Sequence, residues 1–461
     1  MKHMRPILVL LAALCAGPLS AQQADPALVA AGKAVAVAGD CAACHTNPEG
    51  KGDFAGGYGV DSPLGTIYGA NITPSPQGIG DWSFDQFDTA MRKGRAPDLH
   101  FLYPAMPYTA YAGMAESDMK ALYSYLQLGV DPSDNVPPHT DLGFPFSFRA
   151  IMAGWNLLFL NGDVVAGANA EAGSAARGEY LVKTLAHCST CHTPRNALMG
   201  EESDSFLGGG AVGEWIAPNI TAGPDGIGDW SRDDIARFLA TGRNAHGVAG
   251  GEMGTAVERS FSKMPRSDLD AIAAYLVSVP AVAGNGPVRG ARDPASIPDI
   301  EPPLSGLNDY IDTTDMSGAR LYQAACATCH GWDGMGSVDG AHPALVGNTA
   351  VALDDPGNLV MTILNGAQLT LDPDASLMPA FGDQFTDAEV AKLASYVRTG
   401  FGAKALAPVT QAQVWNIRNG VVQTGWLLAN AKALTIAGLG LGALILIAGL
   451  AVLIRRRRRI R

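Results

Sequence analysis

The sequence predicts a mainly α-helical protein of three tandem units followed by one transmembrane helix. Three observations support this fold class. A Cys-x-x-Cys-His pattern occurs three times, two of the units repeat each other, and an uncharged apolar stretch lies close to the C-terminus. The 461 residues are enough for about three domains of ordinary size.

The three motifs are Cys41–His45, Cys188–His192 and Cys326–His330. This spacing is the attachment signature of c-type haem, in which two thiols bond one porphyrin and the following His faces the iron. Disulfides or zinc sites would not require a His after every pair. We therefore predict three cytochrome c-type domains with three covalently bound haem c groups. The predicted attachment residues are Cys41, Cys44, Cys188, Cys191, Cys326 and Cys329.

Residues 1–21 read as a signal peptide, because basic Lys2 and Arg5 precede the apolar run Ile7–Leu14 and a small-residue cleavage site. The formal net charge is −12, and outside the basic terminal segments 24 Lys and Arg residues stand against 44 Asp and Glu residues. Such an acidic body argues against a nucleic-acid partner and favours docking to basic surfaces of redox proteins.

The first two units are a duplication. Cys188 follows Cys41 by 147 residues, and Asp229 follows Asp81 by 148. Asn-Ile-Thr and Gly-Ile-Gly-Asp-Trp-Ser segments recur in both. A Pro- and Gly-rich linker and a third unit without these segments follow. The predicted bounds are 27–165 for domain 1, 172–280 for domain 2, 281–305 for the linker and 310–403 for domain 3.

Side-chain caps predict several helix starts. Ser231 with Asp234, and Thr386 with Glu389, have the three-residue spacing of residues that bond free amides at a helix N-terminus. Ser117 and Ser267 are predicted to cap the last helices of the first two units: Asp118–Leu128 and Asp268–Val277.

The stretch Ala433–Ile454 contains 22 uncharged residues, about 33 Å as a helix, which is enough to cross a bilayer. Arg455–Arg459 follow directly. The positive-inside rule predicts a cytoplasmic tail, 455–461, and haem domains in the periplasm. The predicted location is therefore the bacterial cytoplasmic membrane, crossed once.

Each iron is expected to bind its motif histidine (His45, His192, His330) and one methionine. Met106 and Met253 each lie 61 residues after their motif histidine, and Met378 lies 48 residues after His330. Met264 is the rival of Met253. The alternative histidine ligands are His100, His246 and His342.

Other polar residues have two possible roles. The Pro343 segment is expected to orient His330 through a backbone carbonyl. Three further pairs recur in register and either contact haem propionates or preserve the domain shape: Asn71 and Asn219, Trp82 and Trp230, Arg95 and Arg243.

The chain resembles the tri-haem cytochrome c subunits of bacterial membrane-bound alcohol, aldehyde and gluconate-type dehydrogenases. The resemblance rests on Tyr103–Tyr108, Cys188–Arg195, Asn219–Ser231 and Cys326–Gly331, and covers about residues 28–402. It implies His/Met ligation by His45 with Met106, His192 with Met253 and His330 with Met378. It also implies electron transfer from a separate catalytic subunit toward ubiquinone or a terminal oxidase.

We therefore predict an electron-transfer subunit with no catalytic residues of its own. Its partner would be a quinone-, flavin- or molybdenum-dependent dehydrogenase subunit. This chain is not expected to supply such a site itself, because no dinucleotide-binding fingerprint occurs in it in a strand–turn–helix context. Two alternatives stay open. One is a cytochrome subunit of a respiratory oxidase complex. The other is a haem enzyme, either a peroxidase or a thiosulfate-type oxidoreductase, with an open site on the haem of the second motif.

Overall fold

The computed structural model describes residues 25–47, 49–223, 225–283, 316–338, 342–371, 378–402, 406–421 and 425–459. The predicted signal peptide (1–21), most of the predicted linker (281–305) and the first residues of the predicted third domain (310–315) lie outside the described residues.

The first helical unit consists of five helices and one hairpin. Its elements are α1 (Pro26–Ala38), α2 (Cys41–His45), β1 (Gly59–Ser62), β2 (Gly65–Tyr68), α3 (Phe84–Lys93), α4 (Tyr108–Tyr111) and α5 (Glu116–Leu128). Strands β1 and β2 are antiparallel, with Gly59 opposite Tyr68. Helix α6 (Ile151–Phe159) connects this unit to the next.

The second unit has the same order of helices with additional short strands. Its helices are α7 (Ala175–Tyr180), which continues as a π-helical turn (Leu181–Leu185), α8 (Ser189–His192), α9 (Arg232–Thr241), α10 (Gly251–Arg259) and α11 (Arg266–Leu276). Its antiparallel hairpins are β3 (Gly210–Val212) with β4 (Trp215–Ala217), and β5 (Arg243–Asn244) with β6 (Gly247–Val248). Single 3-10 turns occupy Ser203–Ser205 and Phe261–Lys263.

The regular elements of the third unit are helices among its described residues, with one isolated β-bridge between Ala367 and Met378. Its helices are α12 (Gly318–Ala325), α13 (Ala327–His330), α14 (Thr349–Ala352), α15 (Gly357–Asn365) and α16 (Asp387–Phe401). Three helices follow it: α17 (Gln411–Arg418), α18 (Trp426–Ala429) and α19 (Ala431–Arg459).

The first and last helices of every unit cross at a glycine. A Cβ atom built on Gly32, Gly178 or Gly318 would stand 1.9, 1.9 and 2.3 Å, respectively, from a backbone oxygen of the last helix. Only a residue without a side chain permits so close an approach. The third unit therefore shares this helix crossing with the duplicated pair, although it lacks their sequence signatures.

The first two units pack as a pair. A single hydrophobic core joins Leu122 of the first unit to Leu181 and Ile272 of the second. The third unit has a core of its own, built around Leu321 and Val390. The duplicated units therefore share a buried boundary, across which residues of both can reach one site.

The third unit is joined to the second by specific hydrogen bonds. The amide side chain of Asn358 donates to the Ile216 carbonyl and accepts from its backbone N–H, both at 2.8 Å. The Glu258 carboxylate accepts from the backbone N–H and the hydroxyl of Thr370. These bonds fix the position of the third unit against the β3–β4 hairpin and helix α10 of the second unit.

Two of the four predicted helix caps are confirmed. The boxes Ser231–Asp234 and Thr386–Glu389 are confirmed. The predicted caps Ser117 and Ser267 are wrong, since both lie inside helices that begin at Glu116 and Arg266. Tertiary contacts support these two starts instead: the Tyr180 hydroxyl accepts from the N–H of Ala115, and Arg177 pairs with Asp268 at 3.1 Å.

Helix α17 is bound to the third unit through Arg418. Its guanidinium donates to the Asp387 carboxylate at 2.6 Å and to the carbonyls of Gly382 and Phe385 at 2.6 and 2.9 Å. Helix α19 contains the predicted span Ala433–Ile454. Among the described residues it is the one helix long and apolar enough to cross a membrane, which fits a membrane anchor.

Candidate haem sites

The three motif histidines have the same hydrogen-bonded geometry. The Nδ1 atoms of His45, His192 and His330 lie 2.6, 2.7 and 2.9 Å from the carbonyl oxygens of Ala70, Pro218 and Pro343. A carbonyl can only accept, so each Nδ1 carries the hydrogen. In the neutral ring Nε2 is then free to bind a metal, and the carbonyl fixes the orientation of the ring. The bond predicted for His330 to Pro343 is confirmed.

Burial keeps these rings neutral. It lowers the pKa of each motif histidine below its ordinary value, and the bond to the carbonyl opposes the shift only partly. A neutral imidazole with a free Nε2 is the form that binds iron.

None of the six described cysteines forms a disulfide. Each motif forms a single helical turn: α2 spans the first, and α8 and α13 hold the other two. Burial raises the pKa of Cys41, Cys44, Cys188 and Cys326 to about 12 and that of Cys191 to about 11. The sulfur atoms of these five are therefore uncharged, which suits an apolar site for covalent attachment.

One continuous cavity connects the three motifs. Its volume is about 1390 Å³, and its wall includes all six motif cysteines and all three motif histidines. A pocket for a single drug-sized ligand is typically about 300–1,000 Å³. The cavity thus exceeds the size of one ordinary site, and its lining is mainly apolar, as a porphyrin face requires.

Each candidate methionine lies on the cavity wall. Met106, Met253 and Met378 all line it. Met264 instead packs in the core shared by the first two units, with 7% of its surface exposed. The geometry therefore favours Met253 over Met264 as the residue that can reach a group bound in the cavity.

The alternative histidines divide into two groups. His100 and His342 line the cavity, and His100 pairs with Asp98 at 2.5 Å on an exposed part of the chain. His246 stacks on the Trp230 ring, with ring centres 4.8 Å apart. This stacking assigns His246 a packing role.

The repeated Asn residues brace turns. Asn71 accepts from the backbone and the hydroxyl of Thr73, and its amide donates to the carbonyls of Ser133 and Asn135. Asn219 bonds Thr221 in the same manner. Of the two open roles, this geometry supports preservation of the domain shape.

The repeated Trp and Arg pairs differ in whether both members line the cavity. Trp82 and Trp230 both line the cavity. Arg243 lines it too, whereas Arg95 is exposed and lies over the Phe101 ring. In the first unit Arg149 lines the cavity instead.

Sequence reasoning missed a group of cavity-lining residues at the boundary between the first two units. They come from both units, and one pair is bonded across the boundary, since the Tyr58 hydroxyl donates to Glu252 at 3.3 Å. One difference between the two repeats could have indicated this group: His187 stands where Asp40 stands in the first unit. The missed residues are Tyr58, Tyr111, His187 and Glu252.

Two family models match parts of the chain. Residues 29–128 match "Cytochrome c", and residues 313–397 match "Cytochrome C oxidase, cbb3-type, subunit III". The first range contains the first motif and the second contains the third motif. Both matches agree with covalent haem attachment at these motifs.

Similar proteins cover most of the chain. The fructose dehydrogenase cytochrome subunit of Gluconobacter japonicus is 41% identical over 94% of this chain and 91% of its own length. The alcohol dehydrogenase (quinone) cytochrome c subunit of Gluconacetobacter polyoxogenes is 38% identical over 90% of each chain. The gluconate 2-dehydrogenase cytochrome c subunit of Pantoea cypripedii is 38% identical over 90% of this chain and 95% of its own length.

Proposed function

Because this chain belongs to the family of cytochrome c subunits of bacterial dehydrogenase complexes, we propose that it carries three haem c groups. It would pass electrons from the catalytic subunit of its complex to ubiquinone or the respiratory chain. The chain is itself the electron-transfer subunit, and substrate oxidation belongs to its partner. A quinone, flavin or molybdenum cofactor in that partner would supply the electrons.

The residues of the cavity fit three such groups. Haem 1 would be attached to Cys41 and Cys44, haem 2 to Cys188 and Cys191, and haem 3 to Cys326 and Cys329. The axial pairs would be His45 with Met106, His192 with Met253, and His330 with Met378. Haem ligated in this way supplies an iron that cycles between its ferrous and ferric states without an open coordination position.

The observation that carries the proposal is the continuity of the cavity. The wall of this one cavity includes all three motifs and all three methionines. No thick layer of protein would therefore separate the groups bound in it. The mainly apolar lining excludes water, and the three neutral motif histidines bring no charge into the cavity.

The C-terminal helix supports an anchor in the cytoplasmic membrane. Helix α19 presents large apolar side chains on its surface, including Leu439, Ile445 and Leu446. Such residues are stable in contact with lipid. The arginines from Arg455 onward would hold the tail in the cytoplasm and place the three units in the periplasm.

A respiratory oxidase subunit is a second candidate, because the third unit matches the cbb3-type subunit III model. The match covers residues 313–397 only, whereas the dehydrogenase subunits align with nine-tenths or more of the chain. A haem enzyme with an open site on haem 2 is less well supported, since Met253 lies on the cavity wall.

The test is purification of the full-length protein from native membranes in mild detergent, followed by intact-mass measurement. We expect three haem adducts per chain and a dehydrogenase catalytic subunit in fixed ratio. A variant with Cys188→Ser and Cys191→Ser should lose one adduct. Two or fewer adducts on the wild type would contradict the proposal. Co-purification with haem–copper subunits would favour the oxidase, and peroxidase turnover with a high-spin iron would favour the enzyme.

A further inference from the structure

We propose that Tyr111, His187 and the Gly39 carbonyl form a junction that holds haem 1 and haem 2 at a fixed, short separation for electron exchange. This inference rests on the proposed function, because it requires that both groups are bound. We call these three residues the haem junction.

The haem junction links the attachment turns of two different haems. The Tyr111 hydroxyl donates to the Gly39 carbonyl at 2.7 Å, and Gly39 lies two residues before Cys41. The Tyr111 ring packs edge-on against the His187 ring, with centres 5.6 Å apart and planes at 82°. His187 directly precedes Cys188. A chain of three residues therefore spans from one attachment turn to the other.

The junction is also buried. The Gly39 backbone acts on the His187 ring as well, since it partly opposes the lowering of the His187 pKa by burial. Tyr111 is 3% exposed, and both rings line the cavity. Buried rings held by close packing and by the Tyr111 hydrogen bond have little freedom to move, so they can set a distance rather than merely fill space.

The duplication indicates that these contacts are specific to this boundary. His187 occupies the position that Asp40 holds in the first unit. Tyr111 corresponds to Phe261 in the second, because each stands seven residues before the aspartate near the start of the last helix, Asp118 or Asp268. Phe261 also lines the cavity, but its ring has no hydroxyl that could donate to a carbonyl. The His187 ring and the Tyr111 hydroxyl, which make the junction contacts, are thus both absent from the equivalent positions of the other repeat. Features needed only for the common domain shape would have no reason to differ in this way.

Charge at the junction also suits electron exchange. Burial lowers the pKa of His187 to about 4, so its ring is uncharged near neutral pH. With both haems bound, one electron would pass from the ferrous iron of one to the ferric iron of the other. The exchange would form or break no bond and would need no proton transfer. The exchange rate then depends on the separation and the rigidity of the two groups, which Tyr111 and His187 control as positioning residues.

Two conservative variants test the junction in the full-length, haem-loaded protein. Tyr111→Phe removes the bond to Gly39 but keeps the ring. His187→Asn removes the edge-on ring contact, and asparagine tolerates the left-handed backbone at this position, where φ is 36°. The matched control is Tyr180→Phe. It also removes buried hydrogen bonds between the two units, to Asp118 and Ala115, but Tyr180 does not line the cavity.

The readout is the redistribution of a single electron after photoreduction, followed by absorbance. We expect the fastest redistribution phase to slow several-fold in Tyr111→Phe and in His187→Asn, and to keep its wild-type rate in Tyr180→Phe. Intact mass and the low-spin signals of the irons should be unchanged in all three. These readouts separate an altered haem separation from general destabilisation.

Wild-type rates in both junction variants, with all haems attached, would overturn the junction and leave the proposed function intact. An equal slowing in the Tyr180→Phe control would likewise overturn it, because any loosening of the boundary between the two units would then be enough to slow the electron redistribution. A wild-type chain that lacks haem 1 or haem 2 on intact mass would instead contradict the proposed function, and the junction with it.

Discussion

Gly178 of helix α7 lies against the carbonyl of Ala271 in helix α11, so closely that a Cβ atom on Gly178 would stand 1.9 Å from the carbonyl oxygen. The contact atom belongs to the backbone and cannot rotate away as a side chain could. Any larger residue must therefore separate the two helices that close the second unit.

We expect Gly178→Ala to lower the free energy of unfolding by about 1–3 kcal/mol, the usual cost of overpacking a tight contact. Denaturant unfolding of the full-length protein would measure it. Gly154→Ala is the matched control, because nothing lies within 4 Å of a Cβ built on Gly154 in helix α6. That variant should be neutral or slightly stabilising, and an equal loss in both would refute the close-crossing argument.

Met253→Leu should remove the proposed sixth ligand of haem 2, because leucine has no lone pair for the iron. We expect a new high-spin ferric signal for one of the three haems in electron paramagnetic resonance. Met264→Leu, in the shared core, should leave all three irons low-spin and cost about 1.5 kcal/mol of stability or less, as volume-conserving swaps do. The reverse pattern would assign Met264 as the ligand.

Two equivalent capping boxes differ in one ionisable group, which predicts a difference in pH dependence. The Ser231 hydroxyl donates to the Asp234 carboxylate at 2.6 Å and lowers the pKa of that carboxyl. Because the folded pKa lies below the unfolded one, the stabilisation is present above the unfolded pKa of about 3.9 and is lost as pH falls through the folded pKa. In the first unit Gln86 takes the place of this acid opposite Ser83.

Ser231→Ala should therefore cost about 1 kcal/mol of stability at neutral pH and progressively less below pH of about 4. Ser83→Ala should have a similar cost at neutral pH that does not change on acidification, since Gln86 cannot ionise. Unfolding free energies of both variants, each relative to wild type at the same pH, provide the measurement. Parallel pH profiles would contradict this account of the Asp234 carboxyl.

Truncation after Val421 should release the protein from membranes. The truncated chain keeps α17 bound to the third unit through Arg418 but lacks α19. We expect it in the soluble periplasmic fraction with its haem content unchanged, while the full-length chain partitions into detergent. Continued membrane association of the truncated chain would indicate a second attachment surface.

The sequence predicts best those features that depend on local chemistry. The Cys-x-x-Cys-His turns, the cap at Ser231 and the bond from His330 to Pro343 all involve residues that are near one another in the chain. The spacing of Met253 from His192 also predicted a residue that the structure brings to the cavity.

The contacts between units could not be predicted in this way. Helix α5 begins at Glu116 instead of after Ser117, because Tyr180, from the next unit, bonds Ala115 beside its first turn. The Asn358–Ile216 pair and the Tyr111–His187 contact likewise join residues far apart in sequence. Local patterns contain no information on which surfaces of folded units will meet.

The bonds of Arg418 limit how far the redox units can stand from a membrane. They fix the end of α17 to the third unit, so only residues 419–430 separate that unit from helix α19. Twelve residues reach at most about 40 Å when fully extended. With α19 in the bilayer, the third unit therefore stays within about one protein diameter of the lipid surface. An acceptor inside or directly upon the membrane is within its reach, whereas one far from the membrane must diffuse to it.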